Sequence, residues 1–515
     1  MWVFPALFLC IALGLPLAGV LRNSLSDISA VDFSPQLGIA VTAGGQALIS
    51  TIGALLIGLP IAGILATYRF RGRGFVQALV TVPFVLPTVV IALAFRELFG
   101  SLLSPGLALV VIAHIYINLA VVVRIVGATW QQLDPRMVVA ARSLGASPWR
   151  AFLTVTLPQL KAVLASAASI VFVFCFTSLG VVLVLGNGGT RTLETQILRQ
   201  TSLLLDFPTA AITALLQLIV VSIALLLGAR ASMNATQNAR NLRFTRLSVI
   251  RGIRARTYVF LVAIAACIFV IFPLISLASG SLRDSHGWTL QWWQSLTELD
   301  AGTTRLGSPL TAVVTSVKYA VITGFIAGVI GVLAAMSVLS HRLGRAILVI
   351  ALAPLGISAA TLGLGFMLAY GRPPLDLRGA DLLIPLAHSI VAVPLVIAVV
   401  LPTLRSTDQR FAVAASSLGA RPTRAFFTAY GPILRIVAFA AAGLAACVSL
   451  GEFGAASFLA RSSSPTTPVQ IVKLLQRPGD QSFGVACALA VILVLITLTL
   501  VAAIDALSRK RWVKV

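Results

Sequence analysis

Apolar residues run along this chain in long continuous stretches separated by short polar or basic segments, without a sustained two-residue alternation. A helix that crosses a membrane needs about 20 apolar residues, because the hydrocarbon layer is about 30 Å thick and a helix rises about 1.5 Å per residue. The pattern predicts spans at 2–21, 46–68, 75–96, 107–128, 162–186 and 208–229. A second series follows at 257–280, 311–339, 346–370, 382–402, 433–459 and 483–506. Continuous rather than alternating runs exclude an outer-membrane barrel. The first stretch lacks a basic leading segment and a clean Ala-x-Ala site, so it reads as a span and not as a cleaved signal. The fold class is an all-α polytopic membrane protein with twelve transmembrane helices.

Composition supports that class. Of 515 residues, 58% are hydrophobic and 10% are charged. Soluble domains carry about 25% charged residues, and disorder needs the opposite bias. The formal net charge of +23 would suggest nucleic acid in a soluble protein, so its placement matters. With the N-terminus in the cytoplasm, basic residues should gather after spans 2, 4, 6, 8, 10 and 12. Those loops hold 25 basic residues, from Arg69, Arg71 and Arg73 through to Arg509, Lys510, Arg511 and Lys514, against the acids Asp134, Asp408 and Asp505. The opposite side balances 11 basic against 11 acidic residues. The excess is an orientation signal that puts both termini in the cytoplasm, and no nucleic acid is needed to explain it. The five cysteines lie inside apolar runs without a CxxC pair, so they read as small buried hydrophobes, with no disulfide framework and no metal site.

The chain repeats itself. Residues 134–158 and 408–432 share Asp134/Asp408, Arg136/Arg410, Gly145/Gly419, Pro148/Pro422, Arg150/Arg424 and Pro158/Pro432, all at an offset of 274, which His114/His388 also obey. Two six-span halves in the same orientation follow. The first is 1–229 with its loop at 134–158, the second 257–515 with its loop at 408–432, and an Arg-rich cytoplasmic linker at 230–256 joins them. In each loop a helix-forming, Ala- and Arg-rich stretch meets Gly and then Pro three residues later, which predicts two short helices joined by a tight bend. Ala140, Ala141 and Leu144 form a small apolar face there. A helix lying on anionic lipid is the alternative, but lipid contact does not require the same Gly–Pro geometry twice.

This loop resembles the signature of ABC-importer permease subunits: Glu-Ala-Ala, three residues, Gly, nine residues, Ile-x-Leu-Pro. The first copy reads Val139-Ala140-Ala141, Gly145, Val155-Thr156-Leu157-Pro158, and the second Val413-Ala414-Ala415, Gly419, Ala429-Tyr430-Gly431-Pro432. Both copies have Val in place of the family Glu, and the second also departs from Ile and Leu. The resemblance implies a type I ABC importer permease fold in the bacterial cytoplasmic membrane. It implies two copies of an ABC ATPase that dock at Ala140, Ala141, Leu144, Gly145 and Pro148, and at Ala414, Ala415, Leu418, Gly419 and Pro422. It further implies an extracytoplasmic solute-binding protein and no cofactor. Fused permeases of this family typically serve thiamine, ferric iron or aminoethylphosphonate. Phe172–Ile197 looks most like thiamine permeases, while Ser449-Leu-Gly-Glu-Phe-Gly454 is similar to a pattern in oxyanion and iron permeases.

No Walker A, His-Glu-x-x-His or nucleophile-elbow pattern is present, so ATP hydrolysis is expected on a separate subunit and no catalytic residue is assigned. Gly363-Leu-Gly365 sits within a span and reads as packing. Glu452 reads as the only acid well inside the bilayer, and intramembrane charges are functional candidates. Both thiamine and ferric iron are cations, so Glu452, with Ser449, Thr177 and Ser178, forms the candidate pathway set. The alternative is that Glu452 pairs with Lys318 or packs near the outer surface. His114 and His388 suggest packing. Asn118, Thr88 and Gln217 suit either the pathway or interhelical hydrogen bonds. A secondary carrier of the major-facilitator kind also has two parallel repeats, but its basic motif follows span 2, whereas the long repeated loop here follows span 4.

Overall fold

The computed structural model describes residues 3–26, 33–100, 102–238, 247–250, 252–297, 308–340, 343–371, 376–377, 380–406, 410–461 and 463–512. Asp408 and Lys514, named above, lie outside the described residues, as do Arg240, Arg243, Arg246, Arg251 and Arg342 of the cytoplasmic basic set. The described chain is helical apart from two-residue strands. Ten helices are long and apolar enough to cross a membrane, and two bent pairs raise the number to twelve if each counts as one span. Cys10 is exposed and Cys267 half-buried, so only Cys175, Cys447 and Cys487 behave as the buried hydrophobes expected of all five.

Two predicted spans are not straight. Arg73–Val85 and Thr88–Phe99 meet at 104°, and Ala346–Gly356 and Ala359–Tyr370 at 106°. In the first, Pro87 has no N–H and drives Leu86 into extended backbone, which ends the helix. In the second, Ser358 caps the new helix by accepting from the Thr361 amide at 3.0 Å. The predicted spans 162–186 and 433–459 are broken as well. Leu157–Phe176 stops at Thr177 before the short Gly180–Leu185 helix, and Pro422–Gly451 stops at an extended Glu452 before Gly454–Leu459. These breaks come from single capping residues, which a hydropathy average over a whole span does not register.

By packing, the chain forms two compact units: Asp32–Thr195 with Leu216–Gly280, and Met1–Val31 with Gln196–Leu215 and Ser281–Val515. The contiguous halves describe the repeat, whereas the units regroup its helices. Each unit contains the first helix of the other half. In one, Ile253–Gly280 packs on Thr88–Phe99; in the other, Val3–Leu25 packs on Ala359–Tyr370. Local chemistry fixes both contacts. The Tyr116 hydroxyl donates to the Val270 carbonyl at 2.9 Å, and the Tyr116 ring stands edge-on to Phe95 and Phe269. The Tyr370 hydroxyl donates to the Ile11 carbonyl at 2.9 Å, inside a π-turn just before Pro16.

Close backbone approach supplies the rest, as expected where lipid gives no hydrophobic drive between helices. Along the Ser34–Thr67 helix, Gly58 faces Val122 of Leu107–Trp130 so closely that an added Cβ would lie 2.6 Å from its Cγ1. We expect Gly58→Val to destabilise the protein by about 1–3 kcal/mol through overpacking, read as a lowered unfolding temperature in detergent. Gly45→Ala on the same helix meets nothing within 4 Å and should be neutral or slightly stabilising.

Candidate functional site

The first elbow is built from capping chemistry. The Asp134 carboxylate accepts from the Arg136 amide at 2.9 Å, and Pro135 occupies the first helical position, where its missing N–H is harmless. Pro135–Ser143 then closes with a Schellman turn. The Gly145 amide donates to Arg142 O and the Ala146 amide to Ala141 O, both at 3.1 Å, with Gly145 at φ +86°. Ser147 caps the next helix from Pro148, accepting from the Arg150 amide at 3.2 Å. The rings of Trp149 and Trp130 both stack on Phe152, which anchors the elbow to the end of Leu107–Trp130.

The second elbow repeats the design. Arg410–Ser417 ends with the Gly419 amide donating to Ser416 O at 3.0 Å and the Ala420 amide to Ala415 O at 3.1 Å, with Gly419 at φ +83°. The following helix starts at Pro422. The two short helices expected in each loop reduce to one, because the second arm continues directly into the membrane helix. Phe152–Thr156 adopts a π-turn just ahead of Pro158, and Pro432 is accommodated within Pro422–Gly451.

Both elbows display the same surface. Ala140 and Ala414 are exposed, and Ala141 and Ala415 half-buried. Leu144 is 90% exposed and Leu418 89%, while Gly145, Pro148 and Gly419 are exposed as well. A bulky leucine at the tip of a rigid turn, repeated in both halves, contributes no packing to its own fold.

The pathway candidates divide between the units. In one, Ser449 and Glu452 converge on His388. Ser449 Oγ lies 2.8 Å from His388 Nδ1 and donates to Thr323 Oγ1 at 3.2 Å, and Thr323 donates to the Pro385 carbonyl at 3.4 Å. That carbonyl can only accept, so the Ser449 and Thr323 hydroxyls both donate away from His388. His388 Nε2 faces Glu452 Oε2 at 3.0 Å. The Glu452 carboxylate also accepts from the Ala455 and Ala456 amides at 3.1 and 3.2 Å, capping Gly454–Leu459. Lys318 instead pairs with Asp381 at 2.7 Å, with both side chains exposed. In the other unit Thr177 caps its helix end, its hydroxyl donating to Val173 O at 2.8 Å, and Ser178 is buried.

Residues related by the 274 offset have diverged. Cys175 stands where the second half has Ser449, and Ser178 where it has Glu452. His114 therefore has no acid beside it; its Nδ1 accepts from Gln46 Nε2 at 2.7 Å, and Asn118 Nδ2 donates to Cys175 Sγ at 3.4 Å. Glu452 is also not the only buried acid. Glu194 is 1% exposed and accepts from Gln217 Nε2 at 2.6 Å. It lies in a polar stretch after the fifth predicted span, where the amphipathic pattern of Leu193–Ser202 is the signal that could have shown its burial. Among the described residues no three His, Cys, Asp or Glu side chains converge to hold a metal.

The family model for binding-protein-dependent transport system inner membrane components matches residues 55–232. A thiamine transport system permease protein of Haemophilus influenzae is 24% identical over 484 residues, covering 87% of this chain and 85% of the relative. A protein of the same description from Brucella suis is 25% identical over 505 residues, covering 90% and 87%. A sulfate transport system permease protein of Escherichia coli is 30% identical over 232 residues, covering 40% of this chain and 82% of the relative.

Glu452→Ala leaves two helix-end amides without their acceptor and His388 without its partner. We expect it to cost about 3 kcal/mol, measured as lost thermal stability in detergent. Glu452→Gln, which keeps a carbonyl acceptor, should cost about half as much.

Proposed function

The chain belongs to the binding-protein-dependent transport system inner membrane component family and is a permease of the ABC-importer kind; from that premise we propose that it moves thiamine, or a closely related small cation, into the cell. The near full-length similarity to two-half thiamine permeases supports this solute over sulfate, whose permease aligns with only one part of the chain. In this reading a binding protein delivers the solute from outside, and two copies of a separate ATPase grip the elbows. The cytoplasmic excess of arginine supports an orientation with both termini and both elbows on the inner side.

The observation that carries the docking role is the pair of leucine-tipped Schellman turns, one per half, at a constant offset of 274. Without the family Glu, docking at these elbows depends on shape and apolar contact, since Val139 and Val413 offer no charge. Nucleotide-driven movement of the ATPases then shifts each elbow and the helix that continues from it. Transport follows because the partner's affinity differs between inward- and outward-facing states.

Thr177, Ser178, Ser449 and Glu452 occupy the equivalent breaks that end the long helices of the two halves. Glu452 has its carboxylate filled by two amides and His388, which favours a role in holding the break over direct capture of the solute. The test uses residues that the fold does not need. Leu144→Glu with Leu418→Glu should leave the permease folded and lower ATPase co-purification at least about tenfold, the loss expected of desolvated interface anchors. Uptake of labelled thiamine should fall with it, and labelled sulfate should not enter in either form. Normal co-purification overturns the docking role; sulfate uptake overturns the solute.

A further inference from the structure

The linker between the halves is attached to the first of them. Ser248–Val249 pairs in parallel with Tyr68–Arg69, Tyr68 opposite Ser248 and Arg69 opposite Val249. Alternation along the strand turns Ile250 into the core beside Tyr68 and Phe70 and leaves Val249 70% exposed. Gly252 then turns the chain at φ +84° into the Ile253–Gly280 helix. The result is one surface, within a single compact unit, that carries the exposed Arg69, Arg71, Arg254 and Arg256 together with exposed Val249 and Ile253.

The depth of this surface follows from the helix it joins. Arg254 stands on the same stripe as Tyr258, Leu261, Ile268, Phe272 and Ile275, which recur at helical spacing and are all exposed. That stripe is apolar and exposed on a helix long enough to cross a membrane, which suits lipid. From residue 254 to residue 275 the helix rises about 31 Å, close to one hydrocarbon thickness, so Arg254 sits at headgroup level. Residues 33–96 and 207–283 contain neither Asp nor Glu, and among the described residues none of the four arginines makes an ion pair.

We propose that Arg69, Arg71, Arg254 and Arg256 form a docking surface for anionic phospholipid headgroups, held in place by the strand pairing that pins the linker. Charge complementarity selects the ligand: guanidinium groups bind phosphate in a fork geometry, and exposed apolar neighbours at the same depth suit the acyl boundary. The inference does not depend on the identity of the solute or on where the ATPase docks.

The full chain, reconstituted in nanodiscs of mixed phosphatidylcholine and phosphatidylglycerol and extracted, should retain phosphatidylglycerol in excess, counted by native mass spectrometry. Changing all four arginines to Gln should reduce that excess by roughly fivefold per arginine, whereas four Arg→Lys changes should preserve most of it. Arg191→Gln with Arg283→Gln, outside this surface, should change nothing. Undiminished enrichment in the fourfold Gln variant overturns the proposal. So does loss of ATPase co-purification with lipid enrichment intact, which would make this a protein-binding surface. Should the fourfold variant misfold, Arg254→Gln with Arg256→Gln decides the question by the same count.

Discussion

A backbone amide placed in hydrocarbon has no water to bond, so every interruption of a membrane helix must be satisfied by the protein itself. The architecture of this permease depends on that constraint, because its helices break repeatedly. Each break carries its own remedy: extended backbone enforced by Pro87, the Ser358 hydroxyl on the Thr361 amide, and the Glu452 carboxylate on the Ala455 and Ala456 amides. The last is the most demanding, since a buried carboxyl group requires polar partners. His388 faces it at 3.0 Å, and Ser449, Thr323 and the Pro385 carbonyl continue the hydrogen-bond chain. The first half has no acid at the equivalent place and manages with Thr177, Ser178 and a His114 that accepts from Gln46. Duplication preserved the breaks while the chemistry that holds them diverged.

At the elbows the constraint runs the other way. Here the turns are exposed, and capping fixes a surface instead of making burial possible. Asp134, Ser147 and the two Schellman glycines fix the turns so that Leu144 and Leu418 project with almost no contact to their own fold. Holding an apolar side chain in that position has an entropic and solvation cost. A partner that covers it recovers the burial, and rigidity means that little further ordering is needed on contact. The second arm of each elbow continues directly into a long apolar helix.

Exchange of the first helices gives the two compact units a composition unlike that of the halves. Ile253–Gly280 is tied to Tyr116, and Val3–Leu25 to Tyr370, by phenol-to-carbonyl bonds of the same length. The linker is tied down on the way, through its strand pairing beside Tyr68. A fused chain therefore keeps each helix in register with its unit through local bonds as well as through chain connectivity.

Hydropathy and a repeat at a constant offset determined the class, the spans and the elbows, because each is written in consecutive residues and the spans are set by the thickness and polarity of the bilayer. Gly145 and Gly419 were legible for the same reason, since tight turns are local. Tertiary structure alone decided the partners: that Glu452 meets His388 and not Lys318, that Glu194 is buried on Gln217, and that a helix packs with the half to which it does not belong. Nor could an average over twenty apolar residues reveal the bends of more than 100°, because each rests on one capping group. Spans are dictated by solvent and read along the chain, whereas charge partners, breaks and the choice of neighbouring helix depend on distances between residues far apart in it.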